Sequence, residues 1–418
     1  MRKYKMALFL LALNLVSLPI LDVNQALSAT EPEHNSRSGS WQAITDRALK
    51  VYEAGDLKGA ESLLTRALAV AEKMGKENPK LFKSLDNLAL IHFKEGSFVK
   101  AEPLLQRSLA LQEAKYGPDS IKIAEALHNL GILYLSEDKL DDAEKSFKRL
   151  LDIRESKLDK ESLEVATTLN NLAEVYDLKG RYRKAEKMLQ RSLAIREKKL
   201  GESHADIANS LNNLAGLYMD REDYAKAEPL LLRSLKIQEK VTENAEKDAG
   251  LSAILNNLAE LYDSTSQFAK AEPLFRRALK IDEACYGPSH PNVAKTLNNL
   301  AALYIDEGAY DKAAPLVTRS LRIAEASEDP DHPGMIQSLE EVAEIYAQKG
   351  KNEKSLPIRE RILFIQEKRL GKDSPELVMY IEDYARNLDS LGKVKESKAQ
   401  KDRAKRLRKN PGGSGSRQ

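Results

Sequence analysis

The chain has 418 residues, with 66 Lys and Arg against 64 Asp and Glu; the net charge of +2 says little by itself, and no nucleic-acid partner is expected. Aromatic residues make up 6% and charged residues 31%, a helix-rich balance that argues against a β-sandwich or barrel. Cys285 is the single cysteine, so no intramolecular disulfide forms and helix packing must supply the stability.

Residues 1–29 read as a secretory signal. Arg2, Lys3 and Lys5 precede an apolar run from Met6 to Leu21, and the small-residue stretch Ala26-Leu27-Ser28-Ala29 follows, with cleavage expected after Ser28 or Ala29. The run is broken by Asn14, Ser17 and Pro19 and is short of the roughly 20 apolar residues of a spanning helix. An uncleaved membrane anchor is the competing reading. Removal of the segment leaves 63 residues of each charge, and the chain is then expected to be periplasmic or extracellular. A polar linker, 30–40, leads into the folded part.

From about 41 to 409 the sequence repeats itself. Leu169-Asn-Asn-Leu-Ala-Glu-Val-Tyr176 returns as Leu211-Asn-Asn-Leu-Ala-Gly-Leu-Tyr218, Leu255-Asn-Asn-Leu-Ala-Glu-Leu-Tyr262 and Leu297-Asn-Asn-Leu-Ala-Ala-Leu-Tyr304. With the second Asn as marker, the register runs Asn87, Asn129, Asn171, Asn213, Asn257, Asn299, Glu341, Asp383, in steps of 42 residues with one of 44. A weaker copy, with Asp46, Gly55 and Ala60 in the same roles, brings the number of units to nine. Self-similarity of this kind predicts a solenoid.

Each unit is expected to be a helix pair. Leu211, Leu214, Ala215 and Tyr218 form one apolar stripe at i, i+3, i+4 and i+7. A break follows, carrying Gly96, Gly180, Gly308, Gly350 and Gly392, and then a second helix such as Lys226–Ile237. Pro103, Pro229, Pro273, Pro315 and Pro357 recur near that helix's start, where a missing N–H is tolerated. Gly-rich residues 410–418 read as a flexible tail.

Leu172, Ala173, Tyr176, Gly180, Tyr182 and Ala185 together resemble the tetratricopeptide repeat. The 42-residue period, Leu-Asn-Asn-Leu-Ala, Lys-Ala-Glu-Pro-Leu and Gly-Pro-Ser-His290-Pro are similar to kinesin light chains and their bacterial relatives. The resemblance implies an all-α, right-handed superhelical solenoid of about nine tetratricopeptide-type helix pairs that binds a protein or peptide in a concave groove. The signal segment, and the lack of a heptad coiled coil before the repeats, count against a motor-adaptor role.

No catalytic constellation emerges, and neither cofactor nor metal is expected. His204, His290 and His332 share a register with Asn78, Ser120, Ser162, Asp248 and Ser374, with Pro following at Pro79, Pro291, Pro333 and Pro375, which reads as a helix N-cap. Cys285 has no orienting partner group and reads as a free thiol.

The Asn pairs carry the binding hypothesis. Asn171, Asn213, Asn257 and Asn299 adjoin the apolar stripe and read as structural hydrogen-bonders between helices. Asn170, Asn212, Asn256 and Asn298 match a position that faces the groove in the resembled family, where an amide can grip a peptide backbone as donor and acceptor. The same face gives apolar Leu90, Phe93, Ile132 and Leu135, then acidic Glu174, Asp177, Glu260 and Asp263. The ligand expected is therefore basic and partly hydrophobic. Residues 393–418 hold ten basic and two acidic side chains and read as a solvating cap. Attachment to the cell envelope through this tail, or through an uncleaved signal, is the alternative function. Membrane contact is expected only through those two segments.

Overall fold

The computed structural model describes residues 40–326 and 333–409; the expected signal, most of the linker, the tail from 410 and His332 lie outside these residues. The chain divides into two compact units, Met1–Val241 and Thr242–Gln418. All regular structure in the described residues is helical.

The N-terminal unit holds five helix pairs: α1 (Trp41–Glu53) with α2 (Leu57–Glu72), α3 (Pro79–Lys94) with α4 (Phe98–Tyr116), α5 (Ala124–Ser136) with α6 (Leu140–Lys157), α7 (Leu163–Leu178) with α8 (Tyr182–Leu200), and α9 (Ala205–Asp220) with α10 (Tyr224–Val241). The C-terminal unit holds four: α11 (Ala249–Ser264) with α12 (Phe268–Tyr286), α13 (Pro291–Asp306) with α14 (Tyr310–Ala326), α15 (Pro333–Gln348) with α16 (Asn352–Leu370), and α17 (Val378–Ser390) with α18 (Val394–Lys409). Within each unit every helix packs on its partner, and the second helix of a pair packs on the first helix of the next, the stacking that lets amphipathic hairpins bury a stripe none could bury alone.

The first helices start where the capping register places them. His204 Nδ1 accepts from the Asp206 amide and His290 Nδ1 from the Asn292 amide, both at 3.1 Å, as Ser162 accepts from Val165 and Asp248 from Leu251. These imidazoles satisfy orphan amides of the first turn. Within a pair, a buried serine crosses to the facing helix: Ser192 Oγ donates to the Ala166 carbonyl and Ser234 Oγ to the Ala208 carbonyl, both at 2.7 Å. Around these bonds Val165, Ala166, Leu169 and Ile195 form one continuous core with Leu151 of the preceding pair. Successive second helices are joined on their outer side by arginine–glutamate pairs such as Arg107–Glu72 and Arg191–Glu155, at 2.9 and 2.6 Å. Such exposed pairs are individually weak.

One local expectation needs correction. The second helices begin earlier than the proline register implied: α4 starts at Phe98, so Pro103 is its sixth residue and lies inside the helix. Its missing N–H leaves the Val99 carbonyl without an intrahelical donor, at a residue 84% exposed, where water can serve it. The break between helices needs a left-handed residue, which Gly96 supplies at φ +70°, yet Asp138, Glu222 and Ser266 adopt φ of 58–59° at the same register.

Candidate peptide-binding face

The candidate residues all lie on the first helices of their pairs. In the N-terminal unit the register of the first Asn is filled in turn by Asp86, His128, Asn170 and Asn212 on α3, α5, α7 and α9. Asp86 and His128 went unremarked in the sequence because they break the Asn pattern. Burial pushes the Asp86 carboxyl up to about 7, with Ser108 opposing and Glu125 reinforcing the shift. Burial, aided by the Arg154 charge, pushes the His128 imidazole down to about 4.

The expectation that four amides face a ligand is corrected. Asn298 is fully buried, Asn212 and Asn256 are 4% and 7% exposed, and Asn170 alone keeps appreciable surface. For Asn256 the cause is the close approach of the next first helix. Asn256 Nδ2 donates to the Ser252 carbonyl on its own helix α11, at 3.1 Å, and reaches Thr296 Oγ1 on α13 at 3.4 Å. Thr296 Oγ1 in turn donates to Asp282 Oδ2 on α12 at 2.5 Å. In the N-terminal unit Arg196 of α8 donates to Ser210 of α9 and Arg154 of α6 to Thr168 of α7, at 2.5 and 2.7 Å. The second Asn also works between repeats, since Asn171 Nδ2 lies 3.5 Å from His128 Nδ1.

The apolar part of the face is smaller than expected. Leu90 and Leu135 are 7% and 4% exposed, while Phe93 and Ile132 are half-buried. Phe93 spends its ring on Phe98, 5.4 Å away between centroids.

The acidic positions separate into two kinds. In the C-terminal unit Glu260 has Lys295 of α13 as a neighbour. Burial pushes that lysine down to about 8, while Glu260 and Asp282 hold on to its proton. Glu260 and Asp263 are both half-buried. In the N-terminal unit Glu174 is buried and Asp177 half-buried at the end of α7, and Asp177 meets Asp220 at the end of α9. These two carboxyls are in hydrogen-bond contact across the repeat boundary, and each is raised above the ordinary carboxylate range. Burial is the main cause, and the neighbouring acid adds to it: Glu174 for Asp177, Asp177 for Asp220. Oδ1 of Asp177 and Oδ1 of Asn170 are buried with no protein donor. Asp220 was missed because it stands one residue past the Asp177 register and meets it only through packing.

A tetratricopeptide repeat profile matches residues 80–156, 135–198, 164–240 and 250–326, more than half of the chain. The chain belongs to the tetratricopeptide repeat family. Among solved structures it is similar to the apo form of the quorum sensor NprR from B. thuringiensis, with 16% identity over 88% of this chain and 98% of that one and a TM-score of 0.59. It is similar to Rap protein complexed with competence and sporulation factor, with 18% identity over 90% and 99% and a TM-score of 0.56. It is also similar to the "kinesin light chain nearly identical TPR-like repeats" of Podosopora anserina, with 22% identity over 50% and 99% and a TM-score of 0.42. The likeness to NprR and Rap carries the repeat fold alone. No curated protein matches the sequence significantly.

Proposed function

We propose that this tetratricopeptide repeat protein is a non-catalytic adaptor that holds an extended peptide segment or a partner protein on its first helices, with a cationic group of the partner seated at Glu174, Asp177 and Asp220. The observation that carries the reading is the carboxyl pair of Asp177 and Asp220. Two acids pressed together at low exposure weaken the fold when ionised, and such groups concentrate where a protein binds something. A lysine or arginine side chain would relieve their repulsion and supply the donors that Asp177 Oδ1 and Asn170 Oδ1 lack. Phe93 and Ile132, two and one repeats earlier, add half-buried apolar surface in the same unit. Rap, similar to this chain in fold, is solved in complex with competence and sporulation factor.

The test is a fluorescence-anisotropy screen of basic–hydrophobic decapeptides against the wild type and against Glu174→Gln/Asp177→Asn/Asp220→Asn. Binding to the wild type that falls at least tenfold in the triple variant and loses its salt dependence supports the site. Equal binding to both proteins would move recognition off these helices.

Export rests on residues 1–29 and is part of the same proposal. The envelope-attachment alternative leans on the basic C-terminal helix, and α18 already commits Lys401 to Asp389, Arg403 to Glu367 and Arg408 to Glu382. That use of its charges favours a capping role over a lipid-binding one.

A further inference from the structure

One junction between repeats differs in its chemistry from the others. At the register of Tyr134, Tyr176, Tyr218, Tyr262, Tyr304 and Tyr346, the second repeat carries His92. Elsewhere this position joins consecutive pairs through a phenol: Tyr218 Oη donates to Glu186 and Tyr304 Oη to Glu272, both at 2.8 Å. The same carboxylate register in the first repeat is Glu61 of α2, which lies 3.7 Å from His92 Nε2. A second carboxylate, Glu95 at the C-terminal cap of α3, lies 3.4 Å from His92 Nδ1. His92 is buried, and the two glutamates are partly exposed, so solvent reaches the cluster through them.

We propose that Glu61, His92 and Glu95 form a site for a zinc-class divalent cation that clips the first helix pair to the second. One donor atom from each residue lies within 4.8 Å of the other two. Donors around a tetrahedral ion with bonds near 2.0–2.1 Å stand roughly 3.3 Å apart, so closure asks for about 1–2 Å of movement. The ring nitrogens face different carboxylates, so an ion seated on one nitrogen requires the opposite glutamate to swing inward. Its terminal carboxylate torsion is soft and permits this. One imidazole and two carboxylates suit zinc, cobalt or nickel better than calcium or magnesium, which prefer all-oxygen sets. The fourth position is left to water. A bound ion would hold α1 and α2, the first pair of the array described, onto α3, and ligation of the folded form alone raises its stability by mass action.

The repeat supplies its own control. His92→Tyr places the residue of six other repeats at the junction and keeps a hydrogen-bonding partner for Glu61. Zinc and cobalt are titrated into the full-length chain by calorimetry, with the cobalt visible spectrum and thermal unfolding read in parallel. The expected result is one equivalent bound by the wild type, with a raised melting temperature for the N-terminal repeats. His92→Tyr and Glu61→Gln/Glu95→Gln should each bind at least tenfold more weakly while keeping wild-type helicity without metal. Absence of stoichiometric uptake by the wild type would overturn the proposal. So would equal uptake by His92→Tyr, which would place the ion on another histidine.

Discussion

Gly131 stands at the register that holds Ala89, Ala173, Ala215, Ala259 and Ala301, and it faces Phe147. A Cβ built at Gly131 would sit 2.6 Å from the Phe147 ring, so the missing methyl and the larger side chain fill one space between α5 and α6. Gly131→Ala should therefore destabilise the protein, although it restores the residue of the neighbouring repeats, by about 1–3 kcal/mol of overpacking. Chemical denaturation measures this, and Gly131→Ala with Phe147→Leu should recover most of the loss. The reverse holds at the helix breaks. Glu222→Gly and Ser266→Gly remove left-handed strain at φ near 58–59°. Each should raise stability by about 1 kcal/mol, the relief being partly offset by the greater freedom of glycine in the unfolded chain. A fall in midpoint for both would mean that their side chains contribute more than their backbones cost.

At the scale of the helix, the capping register, the apolar stripes and the alanines of close approach were legible because each depends on one repeat alone. His204 and His290 cap helices, and Ala173 and Ala215 are buried, as their spacing implied. The fate of the first Asn was not legible. A helical wheel places Asn256 beside the stripe but says nothing of Thr296, which belongs to the next repeat and closes over it. The same holds for Lys295 beside Glu260 and for Asp220 beside Asp177.

That carboxyl pair between α7 and α9 has a consequence for pH. Both groups are raised in the folded state, so the folded protein holds protons that the unfolded chain releases, and stability is lost as pH rises through the folded values. Asp86, raised to about 7, acts in the same direction. His128, depressed to about 4, acts oppositely: its contribution is present above the ordinary histidine value and fades as pH falls toward 4. Melting temperature should therefore decline from pH 6 to pH 9, and Asp220→Asn with Asp86→Asn should flatten that decline. An unchanged slope in the double variant would sink the assignment.

At the scale of the whole molecule, helix content and repeat number followed from periodicity, whereas export and partner did not. If residues 1–29 are a cleaved signal, the intact mass of the protein recovered outside the cytoplasm should lack about 28 or 29 residues. A retained Met1 would instead make the segment an anchor. Deletion of 393–418 tests the tail. If α18 is a cap, its loss should lower stability through Ala404 and Leu407, which pack on Leu377 and Ile381, and leave association with anionic vesicles unchanged.

The hydrogen bonds and ion pairs of the N-terminal unit recur at fixed sequence separations: 26 residues for Ser192 to Ala166 and Ser234 to Ala208, and 36 for Arg149 to Glu113 and Arg191 to Glu155. Links of this kind confer translational symmetry on the polypeptide, and length then becomes a quantised property. Excising residues 172–213 joins Asn171 to Leu214, so that Asn-Asn-Leu-Ala runs on unbroken, and Ser234 and Arg233 then stand where Ser192 and Arg191 met Ala166 and Glu155. Excising one residue more or fewer turns the recipient helix by about 100° and points its stripe at solvent. A gene built this way can shorten or lengthen by whole repeats through recombination between its own near-identical stretches, and each such step leaves a foldable protein with a shorter or longer binding face.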